Sequence, residues 1–491
     1  MSILRACVIG SGFSGLSVAT ELASKGHQVT ILEKNDSPGG RARRFEKDGF
    51  TFDMGPSWYW MPDVFERYFE RFGKEVSDYY QLDRLDPSYT VVFSENEFVD
   101  IPAKMSEMEA LFESYEQGSA GKLREFLSQA AYKYEVGIND LVYKPSRSIG
   151  EFMDIRLLRG VIKMDVFQSM AKHVRKFFTH PKLIELMEFP ILFLGALPEN
   201  TPALYSLMNY ADISLGTWYP VGGMFKIVEG MLSLAEEKGV KIHYNNEVTG
   251  FNYSNGKITH VNTKNDSLEF DVVVASADYH HVDQHLLDKQ YANYSKKYWD
   301  GRTMAPSCLL YYLGVNKKLE KLQHHNLFFD TDFKKHAEEI YTTKEWPENP
   351  LFYVSVTSKT DKESAPPDME NVFLLIPVAT GLEDTEEVKE KYFDMTISRL
   401  EKLTGQSIRE HIVYKRAYAP SDFVADYHAF KGNAYGLANT LRQTAILKPG
   451  LKNKKLSNLY YTGQLTVPGP GVPPSIISGI VVANEVINDH H

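Results

Sequence analysis

Three glycines, one acid and two arginines near the amino terminus are the residues of this 491-residue chain best spaced to do chemistry. Gly10, Gly12 and Gly15 form a Gly-x-Gly-x-x-Gly turn, and Glu33 follows at about the 20-residue spacing of a dinucleotide-binding unit. Gly10 permits a tight turn, Gly12 lets backbone approach a diphosphate, and Gly15 lets the next helix pack close to the strand. With Phe13 and Ser14, these glycines open a helix whose N-terminal N–H groups can meet phosphates. Glu33 is placed to accept hydrogen bonds from a ribose diol, and its charge disfavours a 2′-phosphate, which argues against NADP. After Glu33 and Lys34 comes Gly39-Gly40-Arg41-Ala42-Arg43, where a nicotinamide-binding domain would continue into another helix. The glycine pair lets backbone amides reach a cofactor, and the guanidiniums of Arg41 and Arg43 suit phosphate or carbonyl oxygens. A surface loop carrying two solvated arginines is the plainer alternative.

The elements that must position these residues are legible around them. Residues 6–9 read as a short buried strand, and Leu16, Ala19, Leu22 and Ala23 give the helical period that stops at Lys25-Gly26. Residues 28–32 then form a second strand, so the glycine turn sits inside a whole βαβ unit. Similar themes return later. Gly222-Gly223 opens an amphipathic helix through Leu234, a strand over 241–244 leads to Glu247-Val248, and Asn255-Gly256 marks a hairpin turn. Residues 271–278 form a buried parallel-type strand ending in small residues that include Ala277. Near the carboxyl terminus, a strand and turn over 459–464 include Gly463. The run Pro468-Gly469-Pro470-Gly471-Val472-Pro473 then feeds a helix expected over 478–484. The first domain is therefore split, its last strand and helix coming from the far end of the chain. Alternation over 307–314 and 351–380 predicts a second sheet, and 418–447 reads as a polar, aromatic loop region.

Composition narrows the function classes. The 54 basic against 64 acidic side chains give a net charge of −10, which excludes a global preference for nucleic acid. Hydrophobic residues at 43% and charged residues at 24% are globular values and exclude a disordered chain. Cys7 and Cys308 lie far apart, which fits a reducing interior. The amino terminus enters a strand almost at once, so no signal peptide is expected, and no run of apolar residues is long enough to span a membrane. His280, His281 and His285 include an i, i+4 pair that could hold zinc on a helix; their place after a dinucleotide-type strand argues against it, and no metal is expected.

The middle of the chain changes character. Helices rich in Leu, Phe, Tyr and Met are expected over 110–128, 151–174 and 180–195. Residues 143–183 hold nine basic residues, among them Lys144, Arg147, Arg175 and Lys182, against three acids, a local charge of +6. A basic helix with a large apolar face suits an anionic membrane surface; an ordinary core-facing helix with a solvated side is the alternative.

Together these motifs, with Phe52–Asp53–Met54, Gly55-Pro56-Ser57 and Ala275 to Asp278, resemble the bacterial phytoene-desaturase family of carotenoid desaturases. That family lies within the flavoprotein group of amine oxidases and protoporphyrinogen oxidase. The resemblance covers nearly the whole chain, and the Pro468–Pro473 run is its narrowest signal. It implies an α/β fold: a Rossmann-like FAD-binding domain from 1–86, 220–300 and 448–491, a helical substrate and membrane region over 87–219, and a substrate-binding β-sheet domain over 301–447. It implies non-covalent FAD, since no motif stretch offers a cysteine or histidine for a covalent link. Gly10, Gly12 and Gly15 would hold the diphosphate, Glu33 the adenosine ribose, and Gly40, Arg41 and Arg43 the ribityl–diphosphate region. Val248 would present backbone to the adenine, and Gly463, Gly471 and Val472 would lie beside the isoalloxazine and diphosphate. Phe13, Ser14, Lys34, Gly39, Gly55, Pro56, Ser57 and Ala277 complete the cofactor envelope. The implied localisation is cytoplasmic, peripherally bound to the membrane from which a lipophilic carotenoid is drawn.

Desaturation of an isoprenoid needs a hydride acceptor more than a strong base, with the protein aligning the chain in a dry tunnel and stabilising spread positive charge. Trp58, Tyr59 and Trp60, just after the Gly55-Pro56 turn, are the expected lining at the flavin end. No local motif singles out an acid–base residue, and the sequence does not choose between oxygen and a quinone as final electron acceptor. The alternatives are an amine or porphyrinogen oxidase on the same scaffold and a non-catalytic prenyl-lipid carrier of related fold.

Overall fold

Strand Arg5–Ile9 is buried along its length, and Gly12 caps the helix Phe13–Ser24, of which all but the last residue is buried. The helix ends where expected, Gly26 taking a left-handed φ of 88° that a side chain would resist. Strand Gln28–Leu32 pairs parallel with Arg5–Ile9 and completes the βαβ unit. Residues 2–152, 168–194, 197–440 and 443–490 are described in this computed structural model.

The parallel sheet has five strands in the order Leu459–Tyr461, Val272–Ala275, Arg5–Ile9, Gln28–Leu32, Lys241–His243. Chain ends more than 400 residues apart thus share one sheet. The order reverses beside Arg5–Ile9: its own crossover runs to Gln28–Leu32, while Val272–Ala275 lies on its other side. The loops after these strands diverge there and leave a crevice at their carboxyl ends, where open α/β sheets bind ligands. The hairpin reading also holds: Asn255 and Gly256, at φ 50° and 70°, join Val248–Ser254 to Lys257–Thr263 in a two-residue turn.

A seven-stranded mixed sheet forms the second layer. Its order is Ile412–Tyr418, Ser307–Val315, Glu370–Val378, Phe352–Ser355, His325–Phe328, Tyr89–Ser94, Glu97–Ile101. This corrects the domain boundary expected at residue 87. Two strands, Tyr89–Ser94 and Glu97–Ile101, belong to this sheet, and the helical region begins at Met105. The alternation of a six-residue strand followed by a tight turn was lost between longer helical patterns.

Three further expectations shift. The helix expected over 110–128 is two, Met105–Tyr115 and Ser119–Val136, broken at Gly118 with φ 81°. The loop region over 418–447 contains the helix Pro420–Tyr427. The C-terminal helix runs over Val472–Asp489, six residues earlier than expected, because Pro473 and Pro474 sit in its first turn, where a missing N–H costs nothing. Most of the helix expected over 151–174 lies outside the described residues. Among its described neighbours, Arg147, Arg175 and Lys182 pair with Glu485, Glu188 and Glu97, so part of the local positive charge is neutralised within the fold.

Helix and sheet layers also meet through a buried acid. Tyr89 Oη donates to Asp212 Oδ2 at 2.8 Å, and burial pushes the Asp212 carboxyl up to about 7. The folded state therefore keeps this proton to a higher pH than the unfolded chain. Its stabilising contribution is present below about pH 4 and lost as pH rises through about 7. Asp212→Asn keeps the acceptor but removes the titration. Thermal melts across pH 5 to 8 should show the wild type losing stability on the order of 3 kcal/mol more than the variant.

Candidate active site: a cofactor groove opening into an apolar cavity

The crevice at the sheet's carboxyl ends is continuous with a cavity of about 820 Å³ that reaches the seven-stranded sheet. That volume lies in the upper part of the range for small-molecule sites. Of the residues expected to contact a cofactor, Gly10, Gly12, Phe13, Ser14, Glu33, Lys34, Gly39, Gly40 and Arg41 border it, as do Gly55, Pro56, Ser57, Val248, Ala277, Gly463, Gly471 and Val472. Gly15 and Arg43 do not, nor does Tyr59, expected with Trp58 and Trp60 as substrate lining.

The glycines divide into two kinds. A Cβ on Gly12 would stand in open space on the cavity side, with φ at an ordinary −70°. A Cβ on Gly15 would fall 2.1 Å from the Gly10 carbonyl oxygen, so Gly15 serves the contact between helix and strand and faces away from the groove. Glu33 is 4% exposed and accepts from Ser11 N at 2.7 Å, Ser11 Oγ at 2.6 Å and Asn35 N at 2.8 Å. A carboxylate has about four acceptor positions. Three are used to tie the glycine turn to the end of the second strand, leaving one for a ribose hydroxyl. Glu33→Ala removes both functions, and FAD affinity measured by titration of the apoprotein should weaken by about 1–3 kcal/mol, together with a lower melting temperature. Unchanged flavin occupancy would overturn the ribose assignment.

Arg41 and Arg43 part company because they lie two residues apart around the 3₁₀ turn Gly40–Ala42, about 240° in rotation. Arg43 reaches Asp426 Oδ2 at 2.6 Å and Tyr427 Oη at 3.4 Å, so it braces the helix Pro420–Tyr427 and contributes no wall to the cavity. Arg41 turns inward. Its Nη2 donates to Asn433 O at 3.2 Å, and the Gln464 amide, oriented with its oxygen toward Arg41, accepts from both terminal nitrogens at 3.0 and 3.2 Å. Arg41 has no ion-pair partner among the described residues, and its Nε has no hydrogen bond. Burial pulls its basicity down from the ordinary value, with Asp278 the strongest opposing charge. A buried guanidinium without a paired anion fits a diphosphate or a carbonyl-rich ring.

The second half of the groove comes from the chain's end. Gly463 follows strand Leu459–Tyr461 at φ 105°, and its N–H donates to Ser478 Oγ at 3.0 Å. Ser17 Oγ donates to Ile476 O at 2.8 Å, and a Cβ on Gly479 would lie 2.6 Å from Ser14 O. This close helix crossing brings the N-termini of Phe13–Ser24 and Val472–Asp489 to the same groove. Because Pro473 and Pro474 have no N–H, and Ser475 N bonds back to Gly471 O, the donors left at the second terminus are Gly471 and Val472. Gly222-Gly223, grouped above with the cofactor motifs, serve a different purpose. They bring Met224 N and Phe225 N to Asp53 at 2.7 and 3.0 Å, capping the helix Phe225–Glu237 outside the cavity.

Beyond the groove the walls become apolar. Residues 58–60 are extended, so Trp58 and Trp60 face the cavity and Tyr59 faces the opposite side. Tyr59 is fully buried there, stacked on Phe65 at 4.3 Å with its hydroxyl 3.1 Å from that of Tyr80. The sheet contributes Cys308, Leu310, Leu327, Tyr353, Phe373 and Leu375, and the helical layer adds Ile138, Leu207 and Met208. None of these is legible in the sequence as a lining residue; the strand residues' only signal is the inward half of each strand's alternation. Burial pushes the Cys308 thiol up to about 12, so it stands as a neutral thiol. His336 also reaches the wall, with Nδ1 accepting from Leu351 N and Nε2 3.0 Å from Pro377 O, and burial lowers it to about 4.

His281 borders the groove, stacked on His428 at 3.9 Å, while His280 stacks on Phe430. Among the described residues no three His, Cys, Asp or Glu side chains are grouped to hold a metal ion. No helix among them is long and apolar enough to cross a membrane.

Known proteins share this arrangement. The sequence pattern of the flavin containing amine oxidoreductase family matches residues 13–487. The chain is 41% identical over 483 residues to a carotenoid 3,4-desaturase of Haloarcula japonica, covering 98% of each chain. It is 32% identical to a 4,4′-diapophytoene desaturase (4,4′-diaponeurosporene-forming) of Staphylococcus haemolyticus, again covering 98% of each. It is 30% identical to a zeta-carotene-forming phytoene desaturase of Myxococcus xanthus, covering 99% of this chain and 94% of the other. Solved structures of the same fold include an oxidoreductase from Methanosarcina mazei, with TM-score 0.63, 16% identity and coverage of 98% and 100% of the two chains. Putrescine oxidase bound to putrescine has TM-score 0.62 at 12% identity, with 99% of each chain covered. The expectation of FAD therefore stands. With its glycine turns, its buried unpaired arginine and nearly its whole length inside the matched pattern, the chain belongs to the flavin containing amine oxidoreductase family, among the carotenoid desaturases.

Proposed function

We propose that this protein introduces C=C bonds into a carotenoid lying in the apolar arm of the cavity, with FAD held in the groove by the two helix N-termini, Glu33 and Arg41. The observation that carries this reading is the wall itself. The face that the seven-stranded sheet turns to the cavity holds no charged residue, and the charged residues bordering the cavity, Arg41 and Glu33 among them, come from other elements. An amine or porphyrin substrate would need a charged partner on that face; a hydrocarbon needs none. A non-catalytic carrier would have no use for the buried Arg41.

Bound flavin supplies a two-electron hydride acceptor. The chain's own residues do the rest. The apolar walls exclude water and hold the polyene along one line. Trp58 and Trp60 border this arm and offer aromatic rings suited to stabilising the positive charge that spreads after hydride loss. The 41% identity to a carotenoid 3,4-desaturase favours desaturation at the 3,4 position of a carotenoid. A quinone or oxygen would serve as the final electron acceptor.

Peripheral attachment to a membrane is part of the same proposal. Thr444 and Ala445 border the cavity, and the next two residues, Ile446 and Leu447, are 37% and 48% exposed. An apolar pair beside the cavity is suited to lipid contact. Replacing both by Ser should reduce co-sedimentation with phosphatidylglycerol vesicles without changing the flavin spectrum; equal co-sedimentation would remove this loop from the attachment surface.

Expression in cells that accumulate carotenoids of increasing conjugation tests the main reading. Each added double bond shifts absorption to the red. An unchanged pigment profile with every member of the panel would overturn it.

A further inference from the structure

A proton must leave the substrate once hydride has gone, and the apolar arm offers few groups to take it. His336 has both nitrogens engaged by backbone, Cys308 is a neutral thiol, and the sheet presents no carboxylate to the cavity. Tyr353 is different. It lies on strand Phe352–Ser355 and borders the cavity, and its Oη lies 2.6 Å from Nδ1 of His325 on the neighbouring strand His325–Phe328. The Ser355 and Ser57 hydroxyls also interact with Tyr353, and Ser57, at the end of the Gly55-Pro56-Ser57 turn, borders the cavity, which places the phenol where the cofactor groove meets the apolar arm.

His325 has no solvent exposure and its Nε2 has no hydrogen-bond partner. Trp58, itself on the cavity wall, stacks flat on the imidazole with centroids 4.2 Å apart and planes within 11°. A buried histidine that spends its one hydrogen bond on a phenol facing the cavity is a costly arrangement for packing alone. Behind it, His324 contacts the His325 ring at 4.4 Å, and His324 Nδ1 lies 2.8 Å from Oγ1 of the partly exposed Thr360.

We propose that Tyr353 and His325 form the proton exit of the desaturation, Tyr353 Oη taking the proton from the carbon adjacent to the one that loses hydride while its own proton moves to His325 Nδ1. The inference rests on the desaturase reading. The balance closes: the hydride's two electrons go to the flavin, the C–H pair left behind becomes the second bond of the new C=C, one phenolic O–H breaks as another forms, and Nδ1 gains the proton. A polyene cation is so strong an acid that a weak neutral base suffices. Burial, which holds both histidines well below their ordinary value, keeps His325 in that neutral form until the proton arrives. The Trp58 face stabilises the imidazolium while it lasts. Tyr353 is the catalytic residue and His325 the positioning one.

The test uses the flavin-loaded enzyme with carotenoids of increasing conjugation, from phytoene upward, in phosphatidylcholine liposomes. Tyr353→Phe keeps the ring and the wall and removes only the hydroxyl. It should bind flavin with an unchanged visible spectrum and leave KM within about twofold, while kcat falls about 100-fold. Deuterium on the carbon that loses the proton should slow this variant severalfold more than the wild type. His325→Gln should lose a similar factor, and the double variant should lose no more than either single one, since the pair acts as a unit. A flavin-replete Tyr353→Phe enzyme with kcat within threefold of the wild type overturns the relay alone, as do losses that multiply in the double variant. A wild type that converts none of the panel overturns the desaturase reading and the relay with it.

Discussion

Gly12→Val is expected to give a folded protein that has lost its yellow colour. The backbone at Gly12 has φ −70°, which any residue adopts, and a Cβ there meets nothing within 4 Å. Nothing within 4 Å resists a β-carbon at this position, so the melting temperature of the flavin-free form should move by no more than about 0.5 °C, under about 0.5 kcal/mol. The open space is nevertheless the cavity side of the first helix N-terminus. Branched methyls would occupy the place where backbone must approach a diphosphate. FAD affinity should fall more than about 100-fold, close to 3 kcal/mol. Flavin content per chain after gel filtration and titration of the apoprotein check both halves. A variant that retains stoichiometric FAD would show that the diphosphate lies elsewhere.

Gly15→Ala, three residues along the same turn, should behave in the opposite way. Its added methyl would sit 2.1 Å from the Gly10 carbonyl oxygen, 3.1 Å from the Gly10 carbonyl carbon and 3.1 Å from Ser276 Oγ. Backbone cannot yield that distance without pulling the helix Phe13–Ser24 off the sheet, and that helix also packs against the C-terminal helix at Gly479. Destabilisation of about 4 kcal/mol or more is expected, in the range reserved for backbone clashes in a core. Chemical denaturation of apoprotein reads it directly. Flavin loss in this variant should accompany unfolding, whereas in Gly12→Val it should occur without it. Equal stability of the two apoproteins would refute the division of roles between the glycines.

The contrast also shows how far one motif can be read. Both glycines belong to a local pattern, and their different duties follow from the geometry of any strand, turn and helix of this kind. The same holds for Glu33, for the Asn255-Gly256 turn, and for the left-handed stop at Gly26, because each depends on residues within one or two elements. Trp58 and Trp60 were legible in the same sense: they follow a turn and alternate on an extended segment. Tyr59 does not share their wall, since adjacent residues on extended backbone point to opposite sides.

Arg43 and Gly222-Gly223 mark the next limit. A guanidinium two residues after another, and a glycine pair before a helix, look alike whether they meet a cofactor or a carboxylate of the same chain. Asp426 and Asp53, more than 170 residues away in sequence from the groups they bind, decide the matter. Long-range partners of this kind leave no local trace. Nor do the strands Tyr89–Ser94 and Glu97–Ile101, whose membership of the seven-stranded sheet depends on pairing with His325–Phe328 more than 200 residues on.

The sequence by itself determined the cofactor end of this protein: the βαβ unit, its glycines and acid, and the proline-glycine turn that returns from the far terminus. Those features are set by local backbone conformation and hydrogen bonding, which short stretches of residues carry on their own. Only the tertiary structure decided what Arg41 faces, which side of residues 58–60 borders the cavity, and that Tyr353 and His325 stand together beside the groove. These depend on which strands become neighbours and which faces are buried between layers, and that is settled by the packing of the whole chain at once.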